Sequence, residues 1–219
     1  MLFEDRQHAG WSLTGLVATL PSLENAVVLG LPRGGVPVAW EVAHALNLSL
    51  DVLVVRKLGA PGQHELAIGA VASSGVVALN QELVNDFQIS EDLLHAMEKH
   101  AMREIAQRER FYRGNTPAIP IEGRTVILVD DGLATGATMK AAARAVRPKA
   151  GQVIVAVPVA APSTCHELES EADHVLCVAT PALFGAVGQF YRDFRSTTDE
   201  EVRALLANAR TRWQSSPAA

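Results

Sequence analysis

A predicted strand followed by two acids and a loop of small residues constrains this chain more than any other segment. The apolar run Val126 to Val129, which is three-quarters β-branched, predicts a short buried strand that ends at Asp130 and Asp131. A loop from Ala134 to Thr138 then leads into a helix, whose first backbone N–H groups are free to bind an anion. In parallel sheets, ligands bind outside the carboxyl ends of the strands. The segment therefore predicts a phosphate site beside two carboxylates, which suits a ligand that carries a phosphate and either sugar hydroxyls or a metal ion.

A second loop of similar design lies upstream. The run Ala26 to Leu31 predicts another strand, which is followed by Pro32-Arg33-Gly34-Gly35 and a helix from Val36. Arg33 offers a fork of N–H donors to a polyanion, and the paired glycines allow the backbone to approach a ligand. A Gly-Gly pair is common in ordinary turns, so this loop indicates an anion site only in combination with the first segment.

These two segments together resemble type I phosphoribosyltransferases, the family that binds phosphoribosyl pyrophosphate (PRPP). The resemblance rests on the order strand, Asp-Asp, two further residues, Ala-Thr-Gly-Ala-Thr, and on Pro-Arg-Gly-Gly-Val-Pro-Val-Ala and Arg-Lys-Leu-Gly, which uncharacterised bacterial members share. It implies that Asp130 and Asp131 bind the ribose hydroxyls, directly or through Mg²⁺ held by water. The implied site for the 5-phosphate consists of Ala134, Thr135, Gly136, Ala137 and Thr138. The implied site for the pyrophosphate consists of Arg33, Gly34, Gly35, Arg56 and Lys57.

The resemblance also implies a mechanism without a covalent intermediate. Asp130 and Asp131 would favour the positive charge that develops on the ribose, while Arg33 and Lys57 would join them as catalytic residues at the leaving pyrophosphate. The family often has a cis non-proline peptide in the Arg33 loop, although the sequence does not show which bond is cis. Taken alone, the paired acids could equally form a helix cap or a structural ion pair, and Thr135 or Thr138 could be an ordinary helix cap.

Two further segments are candidates for closing the site. The stretch from Arg56 to Leu66 predicts a flexible loop that covers the ligand, and its His64 is either a proton donor or a solvated side chain. The segment 184–194 predicts a hood over a nucleobase, with Tyr191 or Phe194 stacking on the ring and Asp193 accepting a hydrogen bond from a base N–H. The alternative for this hood is core packing with a surface acid.

The alternation of predicted strands and helices indicates an α/β fold with a mostly parallel sheet and helices on both faces. We expect a single phosphoribosyltransferase-like domain over residues 1–219, with hood or insert elements at about 80–116 and 181–219. Smaller predictions are an inner face for helix 4–20 that includes Trp11, a hairpin over 67–79, a helix over 91–112, and a final helix opened by a capping box of Thr198 and Glu201.

Composition excludes several classes of protein. The net charge of −5 argues against nucleic-acid binding. No apolar run approaches the roughly 20 residues that cross a bilayer, and the charged start predicts no signal peptide. Cys165 and Cys177 are too few and too unpatterned for a disulfide framework or a zinc site, which favours a reducing cytoplasm. The family resemblance and the apolar content of 67–77 predict a homodimer.

Two functions remain open. The first is Mg²⁺-dependent transfer of a phosphoribosyl group from PRPP to a nitrogenous acceptor, with a nucleobase as the expected acceptor and pyrophosphate as the product. The second is a non-enzymatic regulator that binds PRPP. The sequence favours the enzyme because Arg33-Gly34-Gly35 is present and no winged-helix segment precedes the core. The acceptor could also be something other than a free base.

Overall fold

The secondary structure alternates between strands and helices along most of the chain. The computed structural model describes residues 2–73 and 75–215 of the 219 residues. The strands are β1 (Val27–Gly30), β2 (Ser49–Val52), β3 (Val55–Ala60), β4 (Gln63–Ala72), β5 (Val77–Leu79), β6 (Thr125–Val129), β7 (Gln152–Val159) and β8 (His174–Ala179). The α-helices are α1 (Arg6–Val17), α2 (Gly35–Leu46), α3 (Gln81–Asp86), α4 (Glu91–Arg113), α5 (Ala137–Val146), α6 (Pro162–Leu168) and α7 (Asp199–Ser215).

A five-stranded parallel sheet forms the centre of the fold, in the order β2-β1-β6-β7-β8. A smaller antiparallel sheet has the order β3-β4-β5. In the parallel sheet, Val27 of β1 pairs with Val126 of β6 and Gly30 pairs with Val129, so these two strands end at the same level. The loops that follow β1 and β6 are therefore neighbours, and both carry a predicted ligand-binding motif.

Helices cover both faces of the parallel sheet, as the sequence predicted. Because successive side chains of a strand point to opposite faces, Val28 and Ile127 pack in one cluster with residues of α1, α2, α4 and α7. Their neighbours Val126 and Leu128 pack in a second cluster with α5 and α6. Because both clusters are apolar, the strands between them are buried on both faces and consist of continuous apolar runs in the sequence.

The prediction of a loop from Arg56 to Leu66 is wrong, because this segment forms most of an antiparallel hairpin. Strands β3 and β4 pair across a turn at Pro61 and Gly62, where Gly62 has a φ of +76°. The dense glycines and the proline suggested a loop, but the pairing tolerates them through register shifts on either side of Gly59. The predicted hairpin over 67–79 is present as β4 and β5, although Ser74 of its turn lies outside the described residues.

The N-terminal helix also differs from its prediction. It is shorter than the predicted 4–20, and Trp11 is 58% exposed although we predicted it on the inner face. The indole N–H of Trp11 donates to Glu41 Oε2 at 2.6 Å, which explains why a polar-edged ring lies at the rim of the helix pair α1 and α2. The helix over 91–112 and the capping box of Thr198 and Glu201 are confirmed.

The two cysteines, which are too few and too unpatterned in the sequence to predict a disulfide framework, nevertheless pair with each other. Cys165 on α6 and Cys177 on β8 form a disulfide, with Cα atoms 7.5 Å apart. They meet because α6 connects β7 to β8 and folds back over the sheet, an arrangement that residue spacing alone did not indicate. No helix in the described parts of the chain is long and apolar enough to span a membrane.

Candidate active site

The loop after β1 lies directly against the loop after β6. A Cβ atom added to Gly34 would stand 2.0 Å from Asp131 Oδ2, and one added to Gly35 would stand 2.6 Å from the backbone oxygen of Val129 and 2.8 Å from the Cα of Asp130. Since a real Cβ does not approach other atoms this closely, a side chain at Gly35 would collide with the backbone after β6, and one at Gly34 would displace the Asp131 carboxylate. The structure therefore brings together the two motifs that the sequence predicted separately, and the peptide bond between Pro32 and Arg33 in this loop is cis.

The two acids at the end of β6 are partly buried and close to each other. The backbone N–H of Asp131 donates to Asp130 Oδ1 at 2.9 Å. Burial raises the pKa of Asp130 well above its ordinary value, and the charge of Asp131 raises it further. Burial also raises the pKa of Asp131, against the opposing effect of the Arg6 guanidinium. A site that concentrates two carboxylates in this way is prepared for a ligand that supplies hydroxyl donors or positive charge.

Arg6 is a site residue that the sequence prediction missed. Its Nε and Nη2 both lie 2.8 Å from Asp131 Oδ2, and its Nη1 donates to the backbone oxygen of Arg195 at 2.7 Å. The guanidinium carbon lies 4.1 Å from the centre of the Phe194 ring. The contact with Asp131 spans 125 residues of sequence, and no local motif around Arg6 indicates it.

Tyr191 lies at the site but not in the predicted role. Its side chain is buried between Phe3 and Phe194, and its hydroxyl donates to the backbone oxygen of Asp131 at 2.5 Å. The ring is therefore part of the core packing, which was the alternative for this segment, and Tyr191 does not offer the predicted free face for stacking on a nucleobase. Asp193 is exposed, and its carboxylate accepts from the backbone N–H of Arg195 at 3.1 Å.

A cavity of about 350 Å³ lies beside the Arg6–Asp131 pair, between the start of α1 and the C-terminal segment. Its walls include Arg6, Pro37, Asp193, Thr197 and Leu205. This mixture of apolar and polar groups, at a wall that Arg6 forms, makes the cavity a candidate place for a second, acceptor-like ligand.

The predicted phosphate loop leads into α5 as expected. Gly136 is the N-cap of α5 and has a φ of +65°, a conformation that glycine adopts without strain. Neither Thr135 nor Thr138 caps the helix, so the alternative of an ordinary threonine cap is wrong. Ala134 and Thr135 are exposed and Gly136 is buried, while Ala137 begins the helix. The Thr164 hydroxyl donates to the Ala134 backbone oxygen at 2.5 Å and fixes this loop to α6.

The basic pair on β3, which was predicted at the pyrophosphate, lies against α4 in this structure. Arg56 makes a bidentate ion pair with Glu104 of α4, with distances of 2.7 Å and 3.1 Å. Lys57 is exposed and lines a separate cavity against α4 that also includes Pro61 and Met97. Arg33 is exposed at its loop. The side chains of His64 and Glu65 lie outside the described residues.

The residues present fit a metal that is shared with the substrate. Among the described residues, no group of three or more His, Cys, Asp or Glu side chains could hold a metal ion alone. Mg²⁺ is commonly bound by one or two carboxylates together with substrate phosphates and water, rather than by an all-protein cage. Asp130 and Asp131 are a carboxylate pair of that kind.

Comparisons with known proteins agree with this geometry. Residues 21–195 match the family model of the phosphoribosyl transferase domain. The chain is 50% identical over 210 residues to proteins of two Mycobacterium tuberculosis strains, each named "Putative phosphoribosyl transferase". These matches cover 95% of this chain but 47% of the relatives, so the chain spans about half their length. The crystal structure of TT1426 from Thermus thermophilus is 44% identical, with a TM-score of 0.84 over 95% of this chain and 99% of that one.

Proposed function

Because the chain belongs to the phosphoribosyl transferase domain family, we propose that it transfers a phosphoribosyl group from PRPP to a nitrogenous acceptor and releases pyrophosphate. The observation that carries the proposal is the contact of Gly34 and Gly35 with Asp130 and Asp131. This contact joins a loop suited to pyrophosphate with the acids suited to the ribose that bears it. The phosphate loop, which begins three residues after Asp131, supplies the third part of the same ligand site.

Each part of the candidate site has its own role in the proposed reaction. Asp130 and Asp131 accept hydrogen bonds from the ribose hydroxyls and stabilise positive charge as the bond to pyrophosphate breaks. The 5-phosphate binds the backbone N–H groups at the start of α5, where the helix dipole favours an anion. Arg33 and the backbone of Gly34 and Gly35 hold the leaving pyrophosphate. When bound, Mg²⁺ would be held by Asp130, Asp131 and the substrate, and would neutralise charge on the pyrophosphate.

We place the acceptor in the cavity beside Arg6, with a nucleobase as the proposed acceptor. Asp193 lines this cavity and is exposed, so its carboxylate can accept from a base N–H. The aromatic surface of Tyr191 is not offered to the cavity, and recognition there would depend on hydrogen bonds and on the apolar edges of Pro37 and Leu205. Such a pocket would distinguish one nucleobase from another by the positions of the hydrogen-bond donors and acceptors on the base.

An acceptor screen tests this function. Purified protein is mixed with PRPP, Mg²⁺ and single nucleobases or other nitrogenous acceptors, and pyrophosphate release is measured. We expect release that depends on one class of acceptor and that falls on the order of a hundredfold in Asp131→Asn, which removes one preorganised charge. Tight PRPP binding without release from any acceptor would instead favour the non-enzymatic regulator, and absence of PRPP binding would reject both.

A homodimer stays part of the proposal, although the apolar segment that suggested it is largely buried within the chain. Ile68 and Val71, which gave 67–77 its apolar character, are buried within the chain. Leu66 and Leu93 remain exposed, on the hairpin and on α4 respectively, at 36% and 43%. Light scattering of the purified protein determines the oligomeric state, and a monomer at working concentrations would reject the dimer.

A further inference from the structure

Arg6 lies outside the segment that matches the family model, yet it holds one of the two acids that define the site. The match covers residues 21–195, while Arg6 is the first residue of α1. Its side chain is 11% exposed and that of Asp131 is 14% exposed, so their ion pair is largely shielded from water. This chain therefore completes its candidate site with a residue that lies outside the matched segment.

We propose that Arg6 is a positioning residue that fixes the carboxylate of Asp131 for the ribose of PRPP and attaches the C-terminal hood to the site. The inference rests on the proposed function, because it concerns binding of the same substrate. Arg6 acts through Asp131 and is not itself assigned contact with the reacting atoms.

The geometry of the guanidinium supports this role. Both Nε and Nη2 are directed at Oδ2 of Asp131, so Arg6 does not take up the second carboxylate oxygen, Oδ1. Its remaining nitrogen donates to the backbone oxygen of Arg195, and its flat face covers the ring of Phe194. A planar group with donors on several edges can make these contacts together, whereas a lysine ammonium cannot reproduce them.

Asp131 is held at its backbone as well as at its side chain. The Tyr191 hydroxyl donates to its carbonyl oxygen at 2.5 Å, while Arg6 holds Oδ2. Gly34 packs against the same carboxylate and leaves it no room to move toward the Arg33 loop. Three parts of the fold, namely α1, the β1 loop and the C-terminal segment, therefore converge on one acid. Such convergence is typical of a group whose orientation matters for function.

The test compares PRPP with inorganic pyrophosphate as ligands. Calorimetric titrations with Mg²⁺ present are made on the wild-type protein, Arg6→Gln, Arg6→Lys and the control Arg192→Gln. Arg192 is a matched surface arginine of the hood segment, 71% exposed and paired with exposed Glu4. We expect Arg6→Gln to weaken PRPP binding about ten- to a hundredfold. Pyrophosphate, which has no ribose, should bind as in the wild type, and Arg192→Gln should match the wild type with both ligands.

A double-mutant cycle with Asp131→Asn determines whether Arg6 acts through that acid. If it does, Arg6→Gln weakens PRPP binding in the wild-type background but adds little in the Asp131→Asn background. Arg6→Lys should recover part of the loss. Tyr191→Phe keeps the ring and removes only the hydroxyl, so it provides a second variant that should weaken PRPP binding in the same direction if Arg6→Gln fails to fold.

The outcomes separate this inference from the proposed function. Wild-type protein that binds PRPP, together with Arg6→Gln and Tyr191→Phe variants of unchanged affinity, would overturn the positioning role and leave the function intact. Equal weakening of PRPP and pyrophosphate would also overturn it, because the effect would then be a general loss of structure. A wild-type protein that does not bind PRPP would overturn both.

Discussion

Gly34 and the carboxylate of Asp131 are in direct contact, so that a methyl group on Gly34 would stand 2.0 Å from Oδ2. The backbone of Gly34 is in the ordinary helical region, with φ −63° and ψ −33°, where any residue is tolerated. Glycine is therefore required here for space and not for its conformational freedom. This distinction makes the contact unusually easy to test.

Replacing Gly34 with alanine should leave the fold intact and displace Asp131. The contact must lengthen by about 1 Å to reach the closest approach that real Cβ atoms show, and a misplacement of that size can lower turnover about a hundredfold. The measurement is steady-state pyrophosphate release, with circular dichroism to confirm folding. Gly15→Ala is the control, because no atom lies within 4 Å of the added methyl group and the helix should tolerate it. Near-normal turnover in a folded Gly34→Ala would show that the position of Asp131 is not critical.

Asp130→Asn should stabilise the protein at neutral pH. Burial raises the pKa of Asp130 above its value in the unfolded chain, so its contribution to stability is present at low pH and is lost as pH rises through the folded pKa. Asparagine cannot ionise, so the variant does not lose this stability. The loss in the wild type is about 1.4 kcal/mol of unfolding free energy for each unit of difference between the folded and unfolded pKa. The gain in unfolding free energy should therefore grow from about pH 4 upward.

Denaturant unfolding at several pH values measures this effect. The control is Asp86→Asn, which changes an exposed carboxylate at the end of α3. A pH-independent difference between Asp130→Asn and the wild type, or destabilisation at neutral pH, would contradict the prediction. Turnover should fall in the same variant, because asparagine lacks the negative charge that the proposed reaction uses. A gain in stability and a loss of activity would then have the same cause.

Gly136→Ala should weaken PRPP binding about tenfold. Its φ of +65° disfavours a residue with a Cβ by roughly 1–2 kcal/mol, and the new methyl group would stand 2.5 Å from Thr164 Cγ2. Thr164→Ser removes that methyl group but keeps the hydroxyl that donates to Ala134. The double variant should thus recover some stability but not full affinity, as measured by thermal unfolding and calorimetric titration. Unchanged affinity in Gly136→Ala would place the phosphate elsewhere.

The parallel sheet and the positions of its two candidate ligand loops could be predicted because their signals are local. An apolar β-branched run that ends in polar or glycine-rich residues identifies a buried strand and the loop at its carboxyl end, as at Asp130 and Gly34. The hairpin β3–β4 escaped prediction because β3 and the polar start of β4, with the turn at Pro61 and Gly62 between them, gain strand character only by pairing with each other. In such segments tertiary contacts outweigh intrinsic preference.

The missed parts of the site have a common physical reason. Arg6 contacts an acid 125 residues away, and a single arginine near the start of a helix has no distinguishing pattern. Tyr191 was predicted to stack on a base, whereas its hydroxyl donates to the backbone carbonyl of Asp131 in the candidate site. Arg56 was expected at the pyrophosphate, and its pairing with Glu104 could not be predicted since α4 meets β3 only in the folded chain. Residue type indicates the chemistry of a side chain, whereas its partner depends on the packing.

The hairpin tip from Leu58 to Leu66 should close over bound substrate. Arg56 and Lys57 at its base now face α4, with Arg56 paired to a Glu104 whose side chain is 37% exposed. A partly exposed ion pair contributes little, about 0–1 kcal/mol, so a bound pyrophosphate could compete for the arginine at small cost. Closure would also exclude water, which otherwise intercepts the ribosyl cation. Amide hydrogen exchange over 58–66, with and without Mg²⁺ and PRPP, measures the effect, and the buried strand β6 is the internal control. Slower exchange in the hairpin alone is expected, while equal exchange in a protein that turns over would show that Lys57 and His64 do not belong to the site.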